Sequence, residues 1–141
     1  MKSRFYRSFP VDSSSINLFG SEVESIRVEG ARVSLRFSRA YIEKTMTGSR
    51  ERTRWWQSGT LIFDGAEVLE ALPEAPAVCD GGDVSENVYT YRDMLPLPMM
   101  GKGPAHCNLR FRDTERRLVV RAEEVSLTMD DREHYIEHIR A

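Results

Sequence analysis

The feature that most constrains the fold is a regular alternation of apolar and polar residues between positions 105 and 129. A period of two residues is typical of a β-strand with one buried face and one solvent-facing side. Polar residues at 113–116 separate two alternating runs and predict a turn, so the stretch predicts a β-hairpin. The apolar residues of its first strand are Cys107, Leu109 and Phe111, and those of its second strand are Leu118, Val120 and Ala122.

Within the second strand the apolar positions change parity. Beyond Glu123 and Glu124 they fall at Val125, Leu127 and Met129. A shift of one residue turns the following side chains to the other face, so the strand must contain a bulge or a bend, or a new strand must begin. The sequence therefore predicts an antiparallel sheet that bends.

Two further hairpins are predicted upstream. Alternation on both sides of residues 29–31 indicates the first. The pair Asp64-Gly65 between apolar runs indicates the second, because Asp-Gly supplies the positive φ angles of a two-residue turn. The buried faces of all three hairpins make up the expected core. Its members are Ile26, Val28, Val33, Leu35, Phe37, Leu61, Phe63, Val68, Leu109, Phe111, Leu118, Val120, Val125 and Leu127.

The remaining segments predict loops and short helices. Glycine and proline at positions 74–83 and 93–106 favour two irregular loops. A helical turn is expected around Ile16, because polar residues that can cap a helix precede it. Asp130 and Glu133 resemble a capping box at the start of a helix that runs to residue 139.

Together these patterns predict a mainly β fold in one domain over residues 1–141. The expected architecture is a single-domain antiparallel curled sheet, barrel- or sandwich-like, with a short C-terminal helix. A chain of 141 residues with 40% hydrophobic and 30% charged residues has the composition of a globular domain with one core.

The net charge limits the classes of partner that are expected, and the cysteine content limits the expected cellular compartment. A net charge of -2 without a basic block argues against nucleic-acid binding, and no stretch approaches the roughly 20 apolar residues of a membrane span. Cys79 and Cys107 lack a CxxC partner and predict reduced thiols in the cytoplasm. The expected partner is a second copy of the chain or another protein, and a small molecule is an alternative; no nucleic acid and no membrane are expected.

Adjacent tryptophans, Trp55 and Trp56, form the first candidate contact site. Consecutive side chains of a strand point to opposite faces, so the two indoles cannot enter the same core. Arg52 and Arg54 precede them and share one face of the strand. One interpretation is an exposed aromatic flanked by guanidinium groups, as at protein interfaces or on stacking platforms for bases. The other is that a loop or the N-terminal segment covers the second indole.

The methionine-containing loop is the second candidate contact site. Met99 and Met100 would suit adaptable contacts if they are exposed, because methionine re-packs easily. Alternatively, the apolar residues of this loop close one end of the barrel or sandwich. His106 follows the loop, and with Asp80, Asp83 or Asp93 it could form an enzyme cleft.

Motifs for cofactor, metal or catalytic chemistry are weak in this chain. His134 and His138 would share one side of a helix, but the sequence supplies no third ligand nearby, so no metal site is predicted. His106 cannot activate Cys107, because adjacent side chains of a strand diverge, and Cys107 has the parity of the core. We therefore predict no cofactor and assign no catalytic residue.

Three functional hypotheses follow. The first is a non-enzymatic protein-interaction module acting through the Trp55–Trp56 region and edge strands, the second a small-ligand-binding β-barrel, and the third an enzyme with a cleft around His106. A polar segment followed by residues 26–28, a turn and residues 33–37 resembles small bacterial all-β proteins, including immunity proteins of toxin systems. This resemblance carries no residue roles and implies a bacterial source.

Self-association is also predicted. An open antiparallel sheet exposes unpaired edges, and one core can hardly shield every aromatic residue of the chain. The surplus aromatics are Phe5, Tyr6, Phe9, Trp55 and Trp56. We expect a homodimer whose interface includes at least one of the two tryptophans.

Overall fold

The fold is described by a computed structural model that covers residues 11–46, 51–130 and 132–139. Phe5, Tyr6 and Phe9 lie outside the described residues. The described residues form ten β-strands. These are β1 (Val11–Glu29), β2 (Arg32–Met46), β3 (Arg52–Asp64), β4 (Glu67–Val68), β5 (Ala77–Glu86), β6 (Tyr89–Arg92), β7 (Met94–Pro96), β8 (Met99–Phe111), β9 (Leu118–Met129) and β10 (His134–Ile139).

Six of the strands close into an antiparallel β-barrel. The order around the ring is β1-β2-β3-β9-β8-β5, and β5 pairs with β1 to complete it. Each of these strands is paired on both sides, so the ring itself has no open edge. The predicted mainly β, antiparallel architecture is confirmed, and of the two predicted forms the structure is a barrel.

The barrel interior is filled by apolar side chains. Most predicted core residues are fully buried, and Ile26 and Val68 pack against the core while partly exposed. Val28 is an exception with 46% exposure, because the ladder between β1 and β5 ends at Val23 and no other described strand pairs with that edge of β1 as far as Val28. The buried core comprises Ile16, Leu18, Val23, Val33, Leu35, Phe37, Ala40, Ile42, Leu61, Phe63, Cys79, Val84, Leu95, Met99, Ala105, Cys107, Leu109, Phe111, Leu118, Val120, Ala122, Val125 and Leu127.

The hairpin predicted at 105–129 is formed by β8 and β9. Ala122 and Val125 are both buried, so the predicted parity change in β9 occurs between them. At the same level the β8–β9 ladder shifts register between Lys102 and Ala105, where β8 carries one extra residue. The bend predicted from the sequence is therefore present.

Of the two upstream hairpins, one is confirmed and one is wrong. β1 and β2 pair across the turn at Gly30, as predicted. The Asp64-Gly65 pair does not reverse the chain: β4 continues along β9 in the register that β3 set. Gly65 has φ 61°, which kinks the chain locally, and the neighbouring edge of β9 offers backbone partners that a tight hairpin would have left unused.

Both predicted loops are largely strand. Residues 77–83 belong to β5, and most of 93–106 belongs to β7 and β8. The glycines accommodate close approach of strands: a Cβ on Gly82, with φ 139°, would lie 2.4 Å from the carbonyl oxygen of Asn108 on β8. Glycine here is what allows β5 and β8 to pair, so the composition predicted a loop where the barrel requires a bulged strand.

The two predicted helices are absent. The segment around Ile16 is part of β1, and the predicted C-terminal helix is the strand β10. β9 pairs with β3 only over Gly59–Asp64, so the edge of β3 at 52–56 is open and β10 fills it. Unsatisfied backbone groups on that edge outweigh the weak local helix signal of the segment.

Candidate protein-interaction surface

The candidate site is built where β10 lies against residues 52–56 of β3. We call these residues the outer segment of β3, because they extend past the part that β9 closes into the barrel. β2 pairs with the outer segment on one side and β10 on the other. Among the described residues, no strand pairs with the second edge of β10.

Trp55 lies on the face of β3 that turns toward the barrel interior. Its ring contacts Tyr135 edge to face, with centroids 5.2 Å apart, and the Lys44 ammonium lies 4.7 Å from the ring centroid. The indole N–H donates to the Thr53 hydroxyl at 2.9 Å. These contacts leave Trp55 half-buried against the core.

Trp56 lies on the opposite face of β3, beside Tyr41 in the ladder. Its ring stacks on His134 with centroids 3.9 Å apart and planes 10° from parallel. The Arg39 guanidinium carbon lies 4.4 Å from the ring centroid, a cation–π contact. The sequence left open whether a loop or the N-terminal segment covers an indole; in the described residues β10 contributes a ring against each.

The Glu43 carboxylate is the centre of a hydrogen-bond and ion-pair network on the face of the sheet that carries Trp56, which we call the outer face. Its side chain is only 7% exposed and accepts hydrogen bonds from Asn17 Nδ2 at 3.1 Å and Arg52 Nη1 at 2.9 Å. Arg54 lies 3.8 Å from Glu43 and donates to Glu137 of β10 at 3.0 Å. The predicted contact residues Arg52 and Arg54 therefore tie β1, β2, β3 and β10 together.

Two further side-chain contacts fix the ends of β10. Lys44 Nζ donates to Glu133 at 2.7 Å, just before the strand begins, and His138 contacts the Glu51 carboxylate. Side chains at both ends of this segment thus have partners within the chain. The backbone of its second edge has no partner strand among the described residues.

A surface cleft of about 340 Å³ opens beside this network. Its apolar walls are Phe19 and Ile136, which are 48% and 39% exposed, and its polar lining includes Arg54 and Tyr41. Burial and the hydrogen bond from the Tyr41 hydroxyl to Glu22 raise the pKa of Tyr41, so it is a neutral phenol at physiological pH. The cleft therefore suits an apolar side chain approached by a polar group.

The other candidate contact residues do not join this surface. Met99 is buried in the core, whereas Met100 on the next position of β8 is 80% exposed. The alternative that these residues close the barrel thus holds for Met99 and not for Met100. His106 is exposed on β8 between Ser85 of β5 and Arg121 of β9, away from the outer segment of β3.

The residues of the enzyme hypothesis are dispersed or already paired. Asp83 forms an ion pair with Arg92 at 3.1 Å, and Asp93 accepts a hydrogen bond from the Gly82 amide at 3.0 Å. Asp80 lines a different cleft, beside the turn that joins β8 to β9. With His106 exposed on a strand surface, these residues do not converge on a cleft.

The histidines proposed to share a helix side lie on a bulged strand. Ile136 has no partner in the β10–β3 ladder, so the strand changes parity there. His134 therefore follows the outer face with Trp56, and His138 follows the opposite face with Thr53. No cluster of three metal-ligating side chains occurs within residues 11–46, 51–130 and 132–139.

The two cysteines are free, buried thiols. Burial, with a contribution from Asp80, raises the pKa of Cys79 to about 12. Burial also raises the pKa of Cys107, whose thiol lies 3.6 Å from the Leu118 carbonyl oxygen. The prediction that Cys107 is a buried residue of the core is confirmed, and raised thiol pKa values disfavour the thiolate form at both cysteines.

Sequence reasoning missed several residues of this surface. Glu43 lies in a strand whose local pattern does not indicate burial, and Phe19 and Ile136 fall in or next to segments whose local pattern predicts helix. The signal that could have found Tyr135 and His134 is their spacing: two adjacent aromatic rings can match two adjacent tryptophans only if both segments are strands.

No family model, curated protein or solved structure matches this chain. The described residues contain no helix long and apolar enough to cross a membrane.

Proposed function

We propose that this protein is a non-enzymatic protein-interaction module whose binding surface is the free edge of β10 together with the adjoining cleft. The observation that carries the proposal is that β10 is a well-supported strand with one edge unpaired by any described residue. An exposed strand edge presents a row of N–H and C=O groups that readily accepts a strand from another chain.

The contacts that hold β10 against β3 favour a strand that is ready to bind a partner rather than one that frays from the sheet. Ring contacts with Trp55 and Trp56 and the Arg54–Glu137 ion pair hold the strand in place before any partner arrives. A strand held in its binding geometry loses less conformational entropy on association. The Phe19–Ile136 cleft lies close enough to receive a side chain of the incoming segment.

The two alternative functions have less support. A small-ligand barrel needs an open interior, whereas core side chains fill this barrel. An enzyme around His106 needs converging polar groups, and these are dispersed. We also propose a cytoplasmic location, which the two unbridged thiols support.

The proposal is tested by cross-linking from the edge itself. A photoreactive phenylalanine analogue at position 137 should cross-link a protein, either another chain or a second copy, in extract of the native source. The same analogue at exposed Glu115, in the turn between β8 and β9, is the matched control. The cross-linked protein, once purified, should bind the wild type and bind Ile136→Lys at least tenfold more weakly, because a lysine at a strand edge opposes pairing.

Cross-linking from position 137 that does not exceed the control would defeat the proposal. Equal binding of the purified partner to wild type and Ile136→Lys would also defeat it.

A further inference from the structure

We propose that a cleft outside the barrel binds a small zwitterion, a free amino acid or a dipeptide, by its carboxylate and its ammonium group together. One wall of the cleft is formed by residues 74–78, which lead into β5, and the other by the turn at 112–116 between β8 and β9. We call it the entry cleft. The site is separate from the proposed function, since it uses neither the edge of β10 nor the Phe19–Ile136 cleft.

Two hydrogen bonds tie the walls of the entry cleft together at its ends. The Arg112 amide donates to the Val78 carbonyl oxygen at 2.9 Å, and Arg116 Nη1 donates to the Leu72 carbonyl oxygen at 3.1 Å. The walls therefore run antiparallel, but between these ends no backbone hydrogen bond of the described chain joins one wall to the other. The opening that remains has a volume of about 590 Å³, which is within the range of small-molecule sites.

Charges of both signs line the entry cleft. Arg112 and Arg116 supply the cations, and Glu74 and Asp113 supply the anions. Among the described residues, none of these four side chains forms an ion pair. Other arginines of the chain form ion pairs at 2.6–3.1 Å, namely Arg32, Arg36, Arg52, Arg54, Arg92 and Arg121. The cleft thus holds opposite charges that do not neutralise each other within the described chain.

This charge arrangement selects the class of ligand. A simple anion such as phosphate would meet Glu74 and Asp113, and a simple amine would meet the guanidinium groups, so like charges oppose both. A zwitterion matches both signs in one molecule. A guanidinium can bind a carboxylate through two parallel hydrogen bonds, and the Arg112 side chain has no hydrogen-bond partner among the described residues, so its donors are available.

The rest of the lining suits the body of an amino acid. The Thr114 hydroxyl oxygen accepts from the Arg116 amide at 3.1 Å, which leaves the hydroxyl hydrogen to donate to a ligand carboxylate. Pro76, Ala77 and Val78 give the opposite wall an apolar part. The expected ligand therefore has an apolar side chain, and the dipeptide alanyl-leucine is a suitable probe.

Nuclear magnetic resonance is the first test. Titration with alanyl-leucine should shift the amide signals of 74–78 and 112–116 saturably and leave those of 134–139 unchanged. Inorganic phosphate at matched ionic strength should bind at least about tenfold more weakly, because it lacks the ammonium group. No saturable shift with the dipeptide would overturn the inference. Phosphate that binds as tightly as the dipeptide would also overturn it.

Capped dipeptides test which wall binds which charge. Amidation removes the carboxylate charge and acetylation removes the ammonium charge, and each should weaken binding to the wild type by about tenfold or more. In Arg112→Gln the amidated dipeptide should lose most of this disadvantage, and in Glu74→Gln the acetylated dipeptide should lose it. Equal binding of capped and uncapped dipeptides to the wild type would overturn the inference, as would variants that keep both preferences unchanged.

The matched controls are Arg121→Gln and Glu67→Gln. These two exposed side chains form an ion pair with each other at 2.6 Å, away from the entry cleft, so both variants should bind alanyl-leucine like the wild type. Arg112 and Glu74 are exposed, so their variants should keep the circular dichroism and thermal unfolding of the wild type. Weaker binding in the controls equal to that in the cleft variants would overturn the assignment of the site.

The outcomes separate this site from the proposed function. Absence of dipeptide binding, with cross-linking from position 137 intact, removes the ligand site and leaves the interaction surface standing. Dipeptide binding without any such cross-link has the opposite meaning.

Discussion

The two halves of β3 are held in the sheet by different physical means. Residues 59–64 lie between β2 and β9 within the closed ring, and Leu61 and Phe63 are fully buried there. Residues 52–56 lie between β2 and β10, outside the ring, and Trp55 alone of these packs against the core. Apolar burial stabilises the first half, whereas ring stacking and ion pairs stabilise the second.

The halves meet at Gln57 and Ser58, where the strand that pairs with β3 changes from β9 to β10. Gln57 Nε2 donates to the carbonyl oxygen of Asp130, and the Asp130 amide donates to the Ser58 carbonyl at 2.9 Å. β2 bulges opposite this point, and the Ser58 hydroxyl donates to the Ser38 carbonyl at 2.8 Å. The joint between the two halves is therefore held by directional hydrogen bonds, whereas the core beside it is held by apolar packing.

This difference explains where binding can occur. Residues 59–64 of β3 are paired with β2 on one side and β9 on the other, so their backbone groups are not available to a partner strand. The half outside the ring has fewer buried apolar contacts and one free strand edge. Regions of this kind open locally at lower free energy than a core does, and they are where proteins place contact surfaces.

The largest expected effect comes from Phe63→Ala in the barrel half. Phe63 is fully buried between Val33 of β2 and Val125 of β9, so truncation leaves a cavity in the core. The free energy of unfolding should fall by about 3–5 kcal/mol. Chemical denaturation followed by circular dichroism measures it.

Val28→Ala is the control for that prediction. Alternation predicts a core position for Val28 just as it does for Phe63, but the Val28 side chain is half exposed. Its truncation should change the unfolding free energy by about 0.5 kcal/mol or less. Equal losses for Val28 and Phe63 would contradict the described burial.

In the outer half, Glu43→Ala should have the next largest effect. The substitution removes the carboxylate that Asn17 and Arg52 bind, and Arg54 then keeps only Glu137. We expect a loss of about 1.5–3 kcal/mol, the range for a hydrogen-bonded charged group, and less than for Phe63 because the arginines regain water. The change in unfolding free energy is measured from the midpoints of urea denaturation curves, provided that the dependence of the free energy on urea concentration is the same for both proteins.

The matched control is Glu67→Ala. Glu67 also binds an arginine, Arg121, at 2.6 Å, but both side chains are exposed. An exposed ion pair is worth roughly 0–1 kcal/mol, so this loss should be small. Equal losses of unfolding free energy for Glu43→Ala and Glu67→Ala would show that the burial of Glu43 does not contribute to stability.

The barrel half could be predicted from sequence because its signal is local. Alternation in 26–37 and 105–129 specifies which face of each strand is buried, and hydrophobic burial depends on that face and little else. Most predicted core residues are therefore correct. The prediction for Val28 was wrong because its exposure depends on where the pairing with β5 ends, and the local sequence does not specify that point.

The outer half could not be predicted, since its structure is decided by pairing between distant segments. The residues of β10 fit a capped helix by local rules, and only the open edge of β3, about eighty positions earlier, makes them a strand. The same holds for Asp64-Gly65, whose turn signal gave way to pairing with β9. The tryptophans were found as candidates, but their partners Tyr135 and His134 were not.

Trp56→Ala tests the stacking that holds β10. Removing the indole deletes the ring contact with His134 and the cation–π contact with Arg39, so β10 should open locally at a cost lower by about 1 kcal/mol. Hydrogen exchange should speed up for amides of 134–139 while those of 59–64 stay protected. Tyr89→Ala, at an exposed aromatic of β6, should leave both segments unchanged. Uniform acceleration across β3 would show that the halves are not independent.

The smallest expected effect is a pH dependence at the joint between the halves. Arg36 donates to both carboxylate oxygens of Asp130, at 3.1 and 2.8 Å, and this hydrogen bonding lowers the pKa of Asp130 below its ordinary value of 3.8. A carboxyl whose folded pKa is depressed adds stability at pH values above its unfolded pKa, and that stability is lost as the pH falls through the folded pKa. Because the pair is largely exposed, the gain should be about 0.5 kcal/mol or less. Asp130→Asn should therefore lower stability slightly at neutral pH. Its difference from the wild type should shrink as the pH falls past the ordinary value of 3.8 and vanish below the depressed folded pKa of Asp130. Thermal unfolding of both proteins across the acid range measures the difference, and a gap that widened on acidification would contradict the assignment of the pair.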